Sequence, residues 1–346
     1  MGDAISDLKE ILLKQKNAQI AEFVNKVTLK TKIKPTNLKQ KEADEKSEFK
    51  VRTNTVLDDI IGGGIPEGKS ALLYGEFASG KTQTCETATV LTGGSVIYID
   101  IEDSCRMERL REMCEARHLD WEKVRDKIIY FNPQDWMEQM LIAFTSLPSP
   151  ADVDGKVDLI ICDSLNKHFR GIEFQGRETL GLKTGLLREF IYQLEKAAKL
   201  HHAALLYTSQ VYDEPNAGAY TSKSDTQKPI GGHSLEHQPD FVLFFMKSTG
   251  NVRICRMIDS SFNKLAERSF LITEKGIEDI PDDSEVAKRL MENAAKYEKK
   301  MSQEDVKKGD KKKKDEKDTA TKEQEIKDVA EALGVTTEPS SEEEQQ

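Results

Sequence analysis

The chain has 346 residues, of which 37% are hydrophobic and 32% charged, and its formal net charge of −10 offers no general attraction for nucleic acid, although a local basic stripe matters more than the total. No apolar run is long enough to span a bilayer and the N-terminus lacks a charged-then-apolar signal, so we expect an intracellular protein with no membrane partner. The five cysteines are scattered, odd in number and without Cys-x-x-Cys spacing, which argues against a disulfide framework and against structural zinc.

The two ends of the chain differ from its middle in composition. Residues 1–30 carry apolar side chains at helical spacing, which predicts a helix, and residues 31–48 are charged and poor in apolar groups, which is typical of a linker. After residue 282, Asp283–Met301 can form another helix, whereas Val306–Lys322 is a Lys, Asp and Glu run that cannot bury enough surface to order itself. We therefore predict extensions at 1–48 and 283–346, helical to disordered, around a core of residues 49–282.

The core alternates short apolar segments with helical patterns, which predicts an α/β fold with a doubly wound, mostly parallel sheet. A hairpin signal at Lys247–Asn251 makes one edge of this sheet antiparallel. The predicted strands are Ser70–Tyr74, Ser95–Ile101, Lys127–Phe131, Val157–Cys162, Ala203–Thr208, Phe241–Met246 and Val252–Ile258, and the predicted helices are Cys105–Arg117, Trp136–Thr145 and Thr179–Leu200.

A glycine-rich loop follows the first of these core strands and precedes a helical segment. It reads G-x-x-x-x-G-K-T, the pattern of a loop whose backbone N–H groups cradle phosphates. Lys81 can reach the β- and γ-phosphates, and the Thr82 hydroxyl can ligate Mg²⁺. The alternative is an ordinary βα turn with a surface lysine. We predict a nucleoside triphosphate site made of Gly75, Glu76, Phe77, Ala78, Ser79, Gly80, Lys81, Thr82 and Gln83.

Two acidic positions at strand ends can complete such a site. Asp163 ends the apolar strand L-I-I-C-D and is predicted to support the metal ion, the alternative being a helix-capping aspartate. Glu102 follows another strand and can orient the attacking water. Asp100 and Asp103 are competing carboxylates, and spacing alone does not choose among the three.

Gln210 ends the strand L-L-Y-T-S-Q and can pass the state of a bound nucleotide into the loop that follows. That loop, Val211–Gln227, has neither a helical nor a strand period, so we expect it to be flexible.

The motifs in this order resemble the RadA branch of the RecA-type recombinases. The resemblance runs from about Val51 to Ile280 and rests on G-E-F-A-S-G-K-T, I-Y-I-D-x-E, L-I-I-C-D-S-L-N-K-H-F-R, G-R-x-T-L, S-Q-V, P-I-G-G-H and F-L-I-T-E-K-G-I-E-D. A general helicase or a KaiC-like ATPase would share the phosphate loop but not P-I-G-G or the last of these segments.

The resemblance implies a RecA-like fold, ATP and Mg²⁺ as ligands, and assembly between protomers, with DNA as a partner. Carried over by position, Glu102 is the catalytic glutamate, acting with Lys81 and Gln210, and Arg109 stacks on adenine. His237 senses the γ-phosphate across the protomer interface, and Asp259 lies where the neighbour's ATP cap begins. The implied DNA contacts are Arg170 and Arg177 of a first loop, together with Lys223 and Lys228 of the second; ordinary solvated arginines are the alternative for the first pair.

Several positions depart from the family pattern. The segment Gly176-Arg177-Glu178 places a carboxylate where a phosphate backbone should pass, and no Phe-x-x-Ala occurs in the linker. Two alternatives to a DNA-dependent recombinase ATPase follow: an ATP-binding paralogue that acts as an adaptor for a recombinase, and a KaiC-like regulatory ATPase. The expected location is the nucleoid in an archaeal cell or the nucleus in a eukaryotic one.

Overall fold

The fold is described from a computed structural model. It covers Lys14, Leu38, residues 50–172, 178–213, 226–231, Leu235 and residues 237–260, 264–281 and 284–289, with only the backbone of residues 178–180. The chain divides into two compact units, residues 1–279 and 280–346. In the second unit, residues 285–289 are helical. Most of the predicted extensions lie outside the described residues. Lys14 is the described residue of the predicted N-terminal helix, Leu38 is that of the linker, and most of the predicted tail is not described.

The first unit is built from β-strands with helices between them. Its strands are β1 Lys50–Val51, β2 Ile65–Pro66, β3 Ser70–Gly75, β4 Ser95–Asp100, β5 Ile128–Phe131, β6 Val157–Asp163, β7 Ala204–Ser209, β8 Val211–Asp213, β9 Gln227–Pro229, β10 Phe241–Lys247, β11 Val252–Ser260, β12 Glu267–Thr273 and β13 Gly276–Asp279. Its helices are α1 Val56–Ile61, α2 Lys81–Leu91, α3 Met107–Ala116, α4 Trp121–Arg125, α5 Trp136–Leu141, α6 Lys167–Arg170 and α7 Glu178–His201, with a π-helical turn at Ile142–Ser146 and a 3₁₀ turn at Pro150–Asp152.

Within the described part of the chain, nine strands form one sheet in the order β13-β12-β11-β10-β3-β7-β6-β4-β5. The six strands from β10 to β5 are parallel, and β10 to β13 pair antiparallel. The predicted doubly wound, mostly parallel sheet with an antiparallel edge is therefore confirmed. Because β3, β7, β6 and β4 are neighbours and run in the same direction, their carboxyl ends meet at one edge.

Both faces of the central strands are buried, as the continuous apolar runs require. Side chains alternate between two hydrophobic clusters: Leu73 belongs to the first, with Cys85 of α2 and Met113 of α3, whereas Leu72 belongs to the second, with Phe190 of α7. The period of two along each strand puts successive residues on opposite faces. Helices on each face then exclude water from the sheet. None of the helices among the described residues has the length and apolar character that crossing a bilayer requires.

Two parts of the strand prediction are wrong. Strands β12 and β13 extend the antiparallel edge beyond the hairpin partner β11. The sequence pattern of β12 is weak because Phe270 is its one fully buried residue and the three residues before it are polar. The loop after Gln210 also starts and ends in strand, since Val211–Asp213 pairs with Gln227–Pro229. These three-residue strands are too short to show a period. Residues 214–225 of the loop lie outside the described residues.

Candidate nucleotide-binding site

The glycine-rich loop joins β3 to α2, and its conformation depends on Gly75 and Gly80. A Cβ at Gly75 would lie 2.2 Å from the Phe245 carbonyl oxygen, so only glycine fits there. Gly80 has φ +105° and precedes α2 without a side-chain cap. The first N–H groups of the helix thus lack a side-chain acceptor, which is the arrangement that binds phosphate at helix N-termini.

Lys81 begins α2 and is 8% exposed. Its ammonium donates to the carbonyl oxygens of Gly75 at 2.8 Å and Glu76 at 2.9 Å. Burial lowers the pKa of Lys81, while the nearby charges of Asp163 and Glu102 oppose this shift. The ammonium therefore lies inside the loop, on carbonyl groups that a phosphate oxygen can replace.

A cavity of about 320 Å³ opens above the loop. Residues 77–83 line it, so the loop and the start of α2 form its floor. The predicted residues Gly75 and Glu76 lie beneath, where they hold Lys81. The walls bring together Glu102, Asp163, Ser164, Thr208, Gln210, Arg253 and Ile272.

Asp163 ends β6 beside the loop and is 2% exposed. Its Oδ1 accepts a hydrogen bond from the Thr208 hydroxyl, whereas its buried Oδ2 accepts none within the described part of the chain. Burial raises the pKa of Asp163; the hydroxyls of Thr208 and Thr82 and the charge of Lys81 act in the opposite direction.

These groups fit a magnesium ion. The described residues contain no group of three His, Cys, Asp or Glu side chains that could hold a metal ion, but Mg²⁺ bound with a nucleotide needs only one or two protein oxygens, because phosphates and water supply the rest. Asp163 Oδ2 and the Thr82 hydroxyl are the oxygens that would hold it.

The surroundings of Glu102 differ from those of the two competing carboxylates, Asp100 and Asp103. It lines the cavity, and its Oε1 accepts hydrogen bonds from the Ser164 hydroxyl at 2.6 Å and from Gln210 Nε2 at 3.1 Å. Asp100 is buried and accepts from the backbone N–H groups of residues 104 and 105 and from the Tyr130 hydroxyl. Asp103 is exposed, and its Oδ1 lies 3.4 Å from Asn132 Nδ2. Of the three carboxylates, Glu102 is the one placed to orient a water molecule, although its catalytic role stays a prediction.

The two predicted DNA loops differ in what the structure describes. Arg170, at the end of α6, donates from Nη1 to Gln210 Oε1 at 3.0 Å. Lys228 lies on β9 opposite Tyr212 and is half-buried. At the base of the second loop, Gln227 Nε2 donates to Glu76 of the phosphate loop at 3.0 Å. Arg177 and Lys223 lie outside the described residues.

Arg109 lies on α3, next to the cavity rather than in it. It lines a shallow recess that shares Ile272 with the cavity wall. Its guanidinium donates to Gln83 Oε1 at 2.9 and 3.0 Å and to the carbonyl oxygens of Thr273 and Glu274. These contacts hold the guanidinium beside the start of α2, which is compatible with the predicted stacking on adenine.

His237 and Asp259 are not brought into this site. Both are exposed, and neither lines the cavity. The roles predicted for them require a second protomer, so their position on the surface leaves these predictions untested.

Arg253 lines the cavity although no sequence pattern points to it. It lies on β11 and donates from Nε to the Ala78 carbonyl oxygen at 3.0 Å. The 175 positions between the partners leave no sequence signal. The sequence could have indicated Thr208 as a site residue, because it is a polar residue near the end of an otherwise apolar strand.

Comparison with known proteins places the chain in a family. The family model described as Rad51 matches residues 46–280. The DNA repair and recombination protein RadA of Ignicoccus hospitalis is 34% identical over 244 residues, which are 66% of this chain and 71% of the relative. The chain belongs to the Rad51 family, in agreement with the resemblance to the RadA branch of the RecA-type recombinases and with the RecA-like fold that it implies.

Proposed function

We propose that this chain is a DNA-dependent ATPase of the recombinase type that acts in homologous recombination and DNA repair. The observation that carries the proposal is the convergence of Lys81, Thr82, Glu102 and Asp163 on one cavity at the carboxyl edge of the parallel strands. A lysine, a hydroxyl and two carboxylates around one cavity are the groups that phosphoryl transfer to water requires.

The residues of the cavity divide the work of hydrolysis. The loop amides and Lys81 bind the β- and γ-phosphates. Asp163 and Thr82 would hold Mg²⁺, which would neutralise charge on the phosphate oxygens. Glu102 orients the attacking water and accepts its proton, and Gln210 lies 3.1 Å from Glu102 as a sensor of the γ-phosphate. Arg109 stacks on the adenine at the edge of the cavity.

DNA binding is proposed from family membership and from the position of the basic residues. The RadA relative is named for DNA repair and recombination. Arg170 is exposed at the end of α6, and Lys228 lies at the base of the second loop. Arginine and lysine side chains at these positions can reach a phosphate backbone.

ATP hydrolysis with and without single-stranded DNA, at several salt concentrations, tests this function. Lys81→Ala and Glu102→Gln should each lower the rate by about 10²-fold or more, because each removes a group that acts on the reacting atoms. Asp103→Asn is the matched control, a neighbouring carboxylate outside the cavity. DNA stimulation should fade steeply with salt as phosphate contacts are lost. Wild-type rates in both site variants would refute the assignment.

A neighbouring protomer is proposed to complete the site, because His237 and Asp259 are exposed outside it. The neighbour is a second copy of the chain or a partner recombinase. Electron microscopy on single-stranded DNA with a slowly hydrolysed ATP analogue distinguishes the two: filaments of the chain alone support the first. The adaptor alternative, which Glu178 beside Arg177 favours, predicts no filament but stable binding to a recombinase.

A further inference from the structure

Arg170 is connected to Glu102 by two hydrogen bonds in series. Arg170 Nη1 donates to Gln210 Oε1 at 3.0 Å, and Gln210 Nε2 donates to Glu102 Oε1 at 3.1 Å. A glutamine side chain has an acceptor at one end of its amide and a donor at the other. By holding the oxygen, Arg170 directs the amide nitrogen of Gln210 at Glu102.

The backbones of Arg170 and Gln210 are held to the core by their neighbours. Phe169, next to Arg170, is buried and its ring centroid lies 6.0 Å from that of Phe190 on α7. The segment before α6 is tied to the end of β7, because Asn166 Nδ2 donates to the Ser209 hydroxyl at 3.1 Å. The Gln210 carbonyl oxygen accepts from the Ile230 N–H at 3.0 Å. The hydrogen bond between the two side chains is therefore set by packed elements.

The connection bears on the reactivity of Glu102. Its Oε1 accepts from the Ser164 hydroxyl at 2.6 Å as well as from Gln210. Two donors occupy the lone pairs of one carboxylate oxygen and fix the plane of the carboxylate. A carboxylate held in this plane is less free to turn its other oxygen toward a water molecule.

We propose that Arg170 is a positioning residue that restrains Glu102 through Gln210, and that a nucleic-acid phosphate lifts the restraint by binding the guanidinium. This inference rests on the proposed ATPase function and adds the route by which DNA acts on it. An arginine forms charge-assisted, bidentate hydrogen bonds with phosphate, which are stronger than its single bond to a neutral amide. Once Arg170 turns to the phosphate, the Gln210 amide is free to rotate away from Glu102.

Steady-state ATP hydrolysis by the full chain without DNA tests the restraint. Arg170→Ala should raise kcat about two- to twelvefold, the range that the loss of one net hydrogen bond allows, with KM for ATP unchanged. Stimulation by single-stranded DNA should shrink by the same factor. Lys167→Ala is the matched control: this residue is a cation on the same helix, and its loss should leave the DNA-free rate unchanged.

A double-mutant cycle shows whether Arg170 acts through Gln210. In a Gln210→Ala background, Arg170→Ala should have no further effect on the DNA-free rate. Binding of a fluorescent ATP analogue and thermal unfolding, measured on every variant, separate a positioning effect from misfolding.

The outcomes distinguish this inference from the proposed function. DNA-stimulated hydrolysis in the wild type with an unchanged or lower DNA-free rate in Arg170→Ala overturns this inference alone. An equal effect of Arg170→Ala with and without Gln210 also overturns it, because the restraint would not pass through the amide. A wild-type protein that hydrolyses no ATP overturns both.

Discussion

Glu86 lies on α2, beneath the nucleotide cavity, and is 1% exposed. Burial raises its pKa to about 8, with the carboxylates of Asp163 and Asp100 adding to the shift, while a hydrogen bond from the Arg106 backbone and the charge of Arg109 oppose it. Gln83, which also accepts from Arg109, donates to Glu86. Glu86 therefore carries a proton in the folded protein at neutral pH.

The pKa of Glu86 predicts how stability changes with pH. Between the ordinary value of 4.5 and about 8, the folded state binds more protons than the unfolded state, so the free energy of unfolding falls as pH rises. Glu86→Gln removes this dependence. Relative to the wild type, the variant should gain about 2–5 kcal/mol from about pH 5 to about pH 9 in denaturant unfolding. Glu115→Gln, an exposed carboxylate on α3, should show no such gain; parallel curves for wild type and Glu86→Gln would contradict the prediction.

Gly75 is the residue at which the loop leaves least room. Because a Cβ there would meet the Phe245 backbone oxygen at 2.2 Å, Gly75→Ala should force β3 away from β10. We expect a loss of about 1–3 kcal/mol of unfolding free energy and at least tenfold weaker nucleotide binding, measured by denaturant titration and fluorescence. Gly93→Ala, whose Cβ would meet no atom within 4 Å, is the control and should stay within about 0.5 kcal/mol. Equal stability of the two variants would be the contrary result.

At the scale of elements, the hairpin of β10 and β11 supports the phosphate loop from outside. Arg253 Nη1 donates to the carbonyl oxygens of Gly250 and Val252 at 2.8 and 2.9 Å, and its Nε donates to Ala78. Ala78 has φ +57°, an unusual conformation for a residue with a side chain. Arg253 thus links the hairpin to Ala78, the residue of the loop with this unusual backbone conformation.

Removal of this link should weaken nucleotide binding without unfolding the protein. Arg253→Ala is expected to raise the Kd for ATP about two- to twelvefold, the range of one net hydrogen bond. Isothermal titration calorimetry measures the change. Arg268→Ala, an exposed arginine on the adjacent strand β12, should leave the Kd as in the wild type. If Arg253→Ala also binds ATP with the wild-type Kd, Arg253 does not support the phosphate loop.

At the scale of the whole molecule, one sheet organises the catalytic edge. The two hydrophobic clusters that the described residues form extend from Val51 to Ile277, which lies within the segment that the family model matches. No described residue outside this segment belongs to either cluster.

A fragment of residues 46–280 should therefore fold and bind nucleotide alone. We expect a single cooperative thermal transition within a few degrees of the full chain, and the same Kd for ATP, because the core and the cavity are retained. Calorimetry and nucleotide titration on both proteins measure this. A fragment that unfolds without cooperativity would show that residues beyond the predicted core at 49–282 contribute to its stability.

The part of the fold that the sequence predicts is the part with a strong local period. Strands β3, β4, β6 and β7 are continuous apolar runs, and each was located to within a residue or two at either end. The pairing of β8 with β9 and the strands β12 and β13 were missed, because exposed edges carry polar residues and their strand conformation comes from the partner's hydrogen bonds.

For the site, the spacing of the glycine-rich loop is enough to predict a phosphate loop, since this pattern prescribes a strand, a glycine turn and a helix N-terminus. The sequence also predicts functional carboxylates at strand ends, but it does not distinguish Glu102 from Asp100 and Asp103. The tertiary structure distinguishes them, because Asp100 accepts hydrogen bonds from backbone N–H groups, whereas Glu102 accepts from the side chains of Ser164 and Gln210. The link from Arg170 to Glu102 and the support from Arg253 arise in the same way, because strand order and register bring together residues that no local pattern connects.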